Sequence, residues 1–329
     1  MASVGNAAKA PRGRARATAG VAGRWLLAPA TETGPGGLAV TTTVIRVLVG
    51  VMWLYNTAWK VPPDFGQAKR AGLFTFTSYA VSDPVLPPYS WVVQHVVLHQ
   101  FVAFGWLVLV LETVLAVLLL SGAFVRIACL LGAAQSLAIG LSIARAPHEW
   151  PWSYLLMVAV HLLILFGGGG RYLAVDALRA GRSVGTALAR FWGALSVAMG
   201  LLAIVISAFG SPFGPNGANL QLTGLEFGLG SYNVAGGLVL LVAGAAVLAW
   251  SWTTRSWLGW SAAVLTAVAA MVLRVQIGFS PPVLGGTAAS VAFFLALAVV
   301  AAALARCSAA RDDDPHEADT RARPEVGVD

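Results

Sequence analysis

The chain has 329 residues, of which 58% are hydrophobic and 11% are charged, and its formal net charge is +7. Soluble proteins of this length carry charge on roughly 25% of their residues, so the composition excludes an ordinary soluble domain and predicts an all-α polytopic protein in a lipid bilayer. The basic residues cluster at the ends of apolar segments and form no face with interleaved aromatic residues, which argues against a nucleic-acid partner.

Both ends of the chain differ in composition from the apolar segments between them. Residues 1–36 are rich in Ala, Gly and Pro with five basic residues, and we predict a disordered basic tail. The apolar stretch from Trp25 to Ala28 is shorter than the roughly 7–15 residues of a signal-peptide core. Residues 307–329 contain Asp312, Asp313 and Asp314, and we predict a second disordered tail.

Eight segments approach the length of about 20 mainly apolar residues that a membrane-spanning helix needs. Turns containing Gly, Pro and charged residues separate them, as at Ala146-Pro147-His148-Glu149 and Ser280-Pro281-Pro282. The predicted transmembrane helices lie near residues 39–60, 101–121, 124–144, 152–170, 191–209, 232–252, 257–274 and 286–306.

The distribution of Lys and Arg predicts the orientation of these eight helices. With a cytoplasmic N-terminus, fifteen basic residues fall on the cytoplasmic side and five on the outer side, and Arg46 lies within the first helix. Because cytoplasmic loops carry the excess of basic residues, we predict that both termini are cytoplasmic and that the protein is a multi-pass protein of the inner (cytoplasmic) membrane.

A basic connector over residues 171–190 divides the helices into two sets of four. We therefore predict two four-helix bundles, a first membrane domain over 37–180 and a second over 181–306. Intramembrane polar residues concentrate in the first half, whereas the second is rich in Ala and Gly, as in Gly236-Gly237 and Gly244-Ala245-Ala246. That composition suits close helix packing and indicates a scaffold or partner surface.

Glu112 stands near the middle of an apolar run, where an unpaired carboxylate is costly. At ~1.5 Å per residue from the cytoplasmic ends, Arg46 lies about 10 Å deep, Glu112 and His161 about 14 Å, and Gln135 about 16 Å. These four residues come from four different predicted helices and share one layer. We therefore predict that Glu112 pairs with Arg46 or His161.

This polar layer has two interpretations. It is either a structural clamp that fixes helix register, or a proton and redox site at which buried carboxyl and imidazole groups serve a quinone headgroup. An ion pathway is a third alternative. The chain has no visible haem, flavin or iron–sulfur motif, and its two cysteines, Cys129 and Cys307, form no C-x-x-C pair. Electrons would therefore need a redox partner protein or a directly oxidised substrate.

The first half contains three short motifs. They are Arg46-x3-Gly50-x2-Trp53 followed by Trp59-Lys60, Glu112 followed by Leu120-Ser121-Gly122 and Arg126, and Gly167-Gly168-Gly169-Gly170-Arg171-Tyr172-x3-Asp176-Ala177. Over roughly residues 40–180 this pattern resembles the DoxX/DoxD family, which includes the large subunit of thiosulfate:quinone oxidoreductase. The resemblance implies four membrane helices and, in some members, electron transfer from thiosulfate to quinone.

The preferred interpretation is thus a quinone-linked membrane oxidoreductase subunit that passes electrons from thiosulfate or another small sulfur compound to quinone. The alternative is a non-catalytic membrane assembly or transport protein whose polar layer is a clamp. In the enzyme interpretation Glu112, His161 and Arg46 are catalytic, with Arg46 also holding quinone together with Gln135 and Arg171. The resemblance carries Arg46, Glu112 and Arg171, whereas Gln135 and His161 rest on the depth estimate.

The segment 61–100 is predicted to lie at the outer interface as one or two amphipathic or re-entrant pieces, because its aromatic residues stand between two Pro-Pro pairs. Its Lys69 and Arg70, with Lys60, could attract an anion such as thiosulfate. His95 and His99 share a helix face four residues apart, but two ligands do not make a metal site, and we predict no metal there.

Overall fold

The computed structural model describes residues 23–30, 36–222 and 227–312. Its elements in chain order are α1 (Gly36–Ala58), α2 (Gly72–Ser82), α3 (Pro87–Val92), α4 (Phe101–Ser121), α5 (Val125–Ile143), α6 (Pro151–Phe166), α7 (Val175–Arg179), α8 (Gly185–Phe209), β1 (Ala218–Leu222), β2 (Phe227–Tyr232), α9 (Val234–Thr253), α10 (Ser256–Gln276) and α11 (Ala288–Asp312). A π-helical turn (Val93–Val97) and a 3-10 turn (Leu98–Gln100) join α3 to α4.

Within the described residues, seven helices are long and apolar enough to cross a membrane. They are α1, the continuous helical segment Pro87–Ser121 that includes α4, α5, α8, α9, α10 and α11. Large apolar side chains on these helices, such as Leu107, Met271 and Val275, are more than half exposed. Such a surface is unfavourable in water and suits lipid, so the chain is a multi-pass membrane protein in a bilayer.

The helix at the fourth predicted position, α6, has 16 residues and spans about 24 Å. It runs antiparallel to α5, since Gly140 lies against Tyr154 and Gly132 against His161. At its end the Thr42 hydroxyl, near the start of α1, donates to the carbonyl of Gly167 at 3.0 Å. The helix α6 therefore returns the chain to the end of the molecule at which α1 begins.

The helix α11 lies at the centre of the fold. Of its apolar window 78% is buried, whereas the other six long apolar helices bury 39–50% of theirs. It packs against α10 within its own half and against α1 and α4 of the first half. A single hydrophobic cluster consequently runs through both halves, from Leu54 and Leu115 to Phe294 and Leu297.

Glycines bring α8 and α9 into close contact, as the composition of the second half indicated. A Cβ on Gly200 would lie 2.6 Å from the Gly237 carbonyl oxygen, and a Cβ on Gly193 would lie 2.9 Å from that of Gly244. Each helix thus offers two glycines spaced seven residues apart, and small residues at such an interface allow two backbones to approach closely in lipid.

An antiparallel hairpin of β1 and β2 follows α8, with Asn219 paired to Ser231 and Leu222 paired to Phe227. It was not expected from the sequence. The hairpin packs on α1 and α11, and Ser290 of α11 accepts the N–H of Ser231 and donates to its carbonyl, at 3.0 and 2.7 Å.

The segment 61–100 contains the two short helices α2 and α3. Phe65, which precedes them, is 2% exposed and lies edge-on against Trp106 of α4, with ring centroids 5.5 Å apart. A Cβ on Gly105 would collide with the Phe65 ring, so this glycine admits the loop to the surface of α4.

The predicted tails lie mainly outside the described residues. Within the first of them, residues 23–27 form a short helix, and the Ala30 carbonyl accepts the N–H of Gly170 at 3.0 Å. Part of the predicted basic tail is therefore folded against the turn that follows α6. At the other end, α11 continues to Asp312, six residues beyond its predicted end.

Candidate functional site

The buried carboxylate of Glu112 pairs with Lys60. The Lys60 Nζ lies 2.7 Å from Glu112 Oε2, and the two side chains are 3% and 0% exposed. Lys60 follows the end of α1, and its ammonium also donates to the Asn56 carbonyl and side-chain oxygens at 2.9 and 3.3 Å. It lies 3.9 Å from the centroid of the Trp59 ring as well. All three donor positions of the ammonium are thus met by oxygens.

Gln135 of α5 lies beside the same carboxylate, although it makes no hydrogen bond of normal geometry to Oε1. Three elements therefore meet at Glu112: the end of α1, the middle of α4 and α5. The sequence analysis placed Gln135 close to the depth of Glu112, and Gln135 lies beside that carboxylate.

His161 of α6 forms a separate contact with Trp53 of α1. The indole N–H of Trp53 donates to His161 Nε2 at 3.0 Å, which makes Nε2 an acceptor and places the ring proton on Nδ1. That Nδ1 lies 2.6 Å from the Met157 carbonyl oxygen. His161 is therefore a neutral imidazole with both nitrogens engaged. A Cβ on Gly132 would overlap this ring, so Gly132 makes the space for it.

Arg46 lies at a different level, beside the turn that follows α6. Its Nη2 donates to the carbonyl oxygens of Leu173 and Tyr172 at 2.8 and 3.4 Å. A Cβ on Gly122, which ends α4 in a left-handed conformation (φ 67°), would overlap the guanidinium. The Arg46 side chain is fully buried, yet its Nε and Nη1 have no hydrogen-bond partner among the described residues.

Asp176 closes this end of the first half. Its two carboxylate oxygens accept the N–H groups of Phe124 and Val125 at 3.1 and 3.0 Å, at the start of α5. Arg179 donates to it at 2.7 Å. A carboxylate at a helix N-terminus satisfies otherwise unpaired amides and favours the local dipole. The residues 122–126 and 171–179 thereby form one polar junction around Arg46.

The prediction that Glu112 pairs with Arg46 or His161 was wrong. The depth estimate counted residues along each helix and ignored the direction of the side chains. Side chains lean toward the N-terminus of their own helix, and α1 and α4 run in opposite directions. Arg46 therefore leans toward the start of α1 and Glu112 toward the start of α4, where Lys60 lies. The four polar residues do not form one layer.

The remaining predicted residues lie apart from this pair. Lys69 and Arg70 are exposed in the loop before α2, whereas Lys60, grouped with them as an anion site, is buried with Glu112. Nearby, the N–H groups of Gly66 and Ala68 donate to Asp64 and lower the pKa of its carboxyl. Arg171 lies over the ring of Tyr172, 5.4 Å from its centroid, at the Arg46 end of the molecule.

The histidine pair of the outer segment is exposed and bonded to its own helix. His95 and His99 each contact a backbone carbonyl, of Trp91 and Gln94, through Nδ1. Glu149 accepts a short hydrogen bond from the Tyr154 hydroxyl. Among the described residues, no group of three or more His, Cys, Asp or Glu side chains is placed to hold a metal ion.

A quinone headgroup fits the surroundings of Glu112 and His161 poorly, whereas Arg46 still has two N–H-bearing atoms, Nε and Nη1, without a partner among the described residues. The carbonyls of a quinone need hydrogen-bond donors, but the donors near Glu112 and His161 are already used. The N–H of His161 faces a backbone carbonyl, the Trp53 N–H donates to His161, and the Lys60 ammonium donates to Glu112 and Asn56. Glu112 itself has no exposed surface. In this arrangement Lys60 and Glu112 neutralise each other and connect the end of α1 to α4, and the Trp53–His161 hydrogen bond connects α1 to α6. Together the two contacts can hold these three helices in a fixed register.

Comparisons with family models, with curated proteins and with solved structures find no match for this chain.

Replacing one member of the buried pair should be far more costly than replacing both. Glu112→Gln leaves the Lys60 ammonium uncompensated, and we expect the free energy of unfolding in a lipid–detergent mixture to fall by about 3–5 kcal/mol. Lys60→Gln combined with Glu112→Gln should recover most of that loss, because neither charge remains.

The matched control is Arg46→Gln combined with Glu112→Gln, which removes the same number of charges but leaves Lys60 unpaired. It should recover nothing. Recovery in this variant, and none in the Lys60 combination, would show that the carboxylate pairs with Arg46 after all.

A side chain at position 122 should destabilise the protein more than a side chain at position 181, which serves as the control for backbone strain. Gly122→Ala suffers a left-handed backbone and an overlap with Arg46, whereas Gly181→Ala has a similar φ of 72° and nothing within 4 Å of its Cβ. The Gly181 variant should cost about 1–2 kcal/mol of unfolding free energy. The Gly122 variant should cost about 1–3 kcal/mol more, because its Cβ would overlap both Arg46 and Ala174. Equal losses would mean that neither residue packs against Gly122.

Proposed function

We propose that the protein is a non-catalytic membrane protein, of the assembly or transport type, in which the Lys60–Glu112 pair is a structural clamp. The observation that carries this proposal is that the two charged groups are buried and satisfy each other. Lys60 Nζ lies 2.7 Å from Glu112 Oε2, and the remaining N–H groups of the ammonium face the two oxygens of Asn56. The Trp53–His161 contact is closed in the same way.

A clamp of this kind specifies an arrangement more than it adds stability. Individual polar contacts between membrane helices contribute modestly, on average about 0.6 kcal/mol. An unpaired charge at the centre of a bilayer costs at least about 2.5–3.5 kcal/mol. Any register of α1 against α4 that separates Lys60 from Glu112 leaves the Glu112 carboxylate without a partner in the middle of α4 and incurs this penalty. The pair therefore excludes alternative packings of the helices, which suits a scaffold that presents fixed surfaces.

A quinone-linked oxidoreductase subunit is the second candidate, with thiosulfate or another small sulfur compound as electron donor and a redox partner protein. One observation favours it. The residues that resemble the DoxX/DoxD pattern pack on one another: Gly50 lies against Leu120, Gly122 lies against Arg46, and Asp176 bonds the amides that precede Arg126. Glu112 and Lys60 also form an acid–base pair that can exchange a proton.

For the membrane arrangement we propose eight spans, with α6 as the shortest, and cytoplasmic termini in the inner membrane. The antiparallel contact of α6 with α5 along Gly132 to Gly140 supports the crossing of α6. The excess of basic residues at the Arg46 end supports the orientation.

Reporter fusions test this arrangement. Fusions after Arg182 and after Arg255 should report the cytoplasm, and fusions within 212–230 should report the outside, because α6 and α8 both cross. If α6 did not cross, the orientation of every later segment would invert. A cytoplasmic signal from 212–230 would therefore contradict the eight-span arrangement.

An apolar replacement of the pair separates the two candidate functions. Lys60→Met combined with Glu112→Leu removes both charges and fills the space, a change that is often neutral or stabilising for buried ion pairs. As a clamp, the pair should be replaceable: the folded variant should match the wild type in copurified quinone and in thiosulfate-dependent quinone reduction in proteoliposomes.

The redox candidate predicts a different pattern of results. Wild-type protein would then carry quinone and reduce it, and the apolar variant would be folded but inactive. That outcome would overturn the clamp as the sole role of the pair. A wild type without copurified quinone and without turnover would leave the redox candidate unsupported.

A further inference from the structure

A cavity of about 350 Å³ opens between the Lys60 end of α1 and the hairpin, where the two halves of the chain meet. Its wall combines the last turn of α1, the hairpin with the residues that precede it, and the start of α11. The lining residues are Tyr55, Ala58, Trp59, Asn216, Gly217, Asn219, Gln221, Ser231 and Thr287.

Among the described residues, the lining contains amide and hydroxyl groups but no charged side chain. The ammonium of Lys60, which lies over the Trp59 ring, is neutralised by Glu112. Within the described part of the wall, an anionic ligand would find no free cation and a cationic ligand would find no carboxylate. The wall therefore selects for a neutral ligand.

The polar groups suit a ligand that both donates and accepts hydrogen bonds. Asn and Gln amides carry donors and acceptors together, and hydroxyl groups do the same. The Asn219 amide nitrogen donates to the Gln221 side-chain oxygen at 3.2 Å, which fixes the two amides relative to each other and leaves an oxygen on one and a nitrogen on the other.

Thr287 supplies a separate observation. Its hydroxyl oxygen is buried, and it has no hydrogen-bond partner among the described residues. Buried hydroxyls are nearly always paired, and an unpaired one costs about 1–3 kcal/mol. A group that lies in the cavity and reaches this oxygen would remove that cost.

Trp59 gives the cavity an aromatic surface. Trp59 is 37% exposed although it follows the end of an apolar helix, and its indole N–H is already bonded to Asn56 at 3.1 Å. The ring thus contributes an apolar surface rather than its donor, on the side that the Lys60 ammonium does not cover. An apolar face beside several amides and hydroxyls matches a sugar ring, which has C–H groups on its faces and hydroxyls at its edge.

We propose that this cavity binds the neutral polyhydroxylated head of a sugar, through the Asn216, Asn219 and Gln221 amides and the Trp59 face. Its volume lies near the lower end of the roughly 300–1,000 Å³ of small-molecule sites, which admits a single sugar ring. Such a head belongs either to a membrane glycolipid or to a free sugar. This inference is independent of the clamp, because it uses neither charge of the pair.

Binding is tested with two probes on the full-length protein in nanodiscs. Monoglucosyl diacylglycerol in the nanodisc is measured by native mass spectrometry, and methyl β-glucoside in solution by saturation-transfer NMR. Binding of the glucolipid alone assigns the site to a lipid headgroup, and binding of both probes assigns it to the sugar ring itself. Either result supports the proposal, and binding of neither overturns it.

Two double variants locate the binding. Asn216→Ala with Gln221→Ala removes two amides of the wall, and we expect about tenfold or greater loss of affinity. Gln67→Ala with Gln94→Ala removes two amides from the segment 61–100 and should leave the affinity unchanged. Equal affinity in the two variants would overturn the proposal, as would equal competition by phosphatidylglycerol, because the wall described here selects against an anion.

Discussion

The arrangement of the first half depends on one constraint, which is that a carboxylate within an apolar helix must be neutralised by a neighbour. Glu112 has no exposed surface, and its partner Lys60 stands beyond the end of α1. The last turn of α1 must therefore lie against the middle of α4. Gln135 draws α5 to the same point, and α11 packs on α1 and α4 together. The position of one ion pair thus limits how four helices can be arranged.

Glycine gives these polar groups their space. Gly132 leaves room for the His161 ring and Gly122 for the Arg46 guanidinium, so neither polar side chain has to push two helices apart. The second half uses glycine differently, to bring the backbones of α8 and α9 together at Gly200 and Gly237. Both uses follow from the bilayer, in which packing and internal pairing replace the hydrophobic effect between helices.

Composition and hydropathy were sufficient to predict a helical multi-pass membrane protein, because the cost of exposing a backbone to lipid leaves few alternatives. The partner of Glu112 was not predictable from depth alone, since Arg46 and Glu112 lean in opposite directions along antiparallel helices. Lys60 was assigned to an outer anion site because it follows the end of α1. Its position in the sequence does not show that its long side chain extends to Glu112 in the middle of α4. The hairpin was missed because Ala218–Leu222 offers only a short alternation between long apolar runs.

The central claim is the contact between Lys60 and Glu112 inside the bilayer, and dipolar recoupling in solid-state NMR measures it most directly. Protein with ¹⁵N-labelled lysine and ¹³C-labelled glutamate is reconstituted in lipid, and the Lys60 signal is assigned by its loss in Lys60→Met. The account predicts dephasing of that signal by a carboxylate carbon within about 4 Å. The dephasing should be lost in Glu112→Gln, which removes the carboxylate, and kept in Asn56→Ala, which does not. A Lys60 signal that shows no dephasing by any carboxylate would contradict the account.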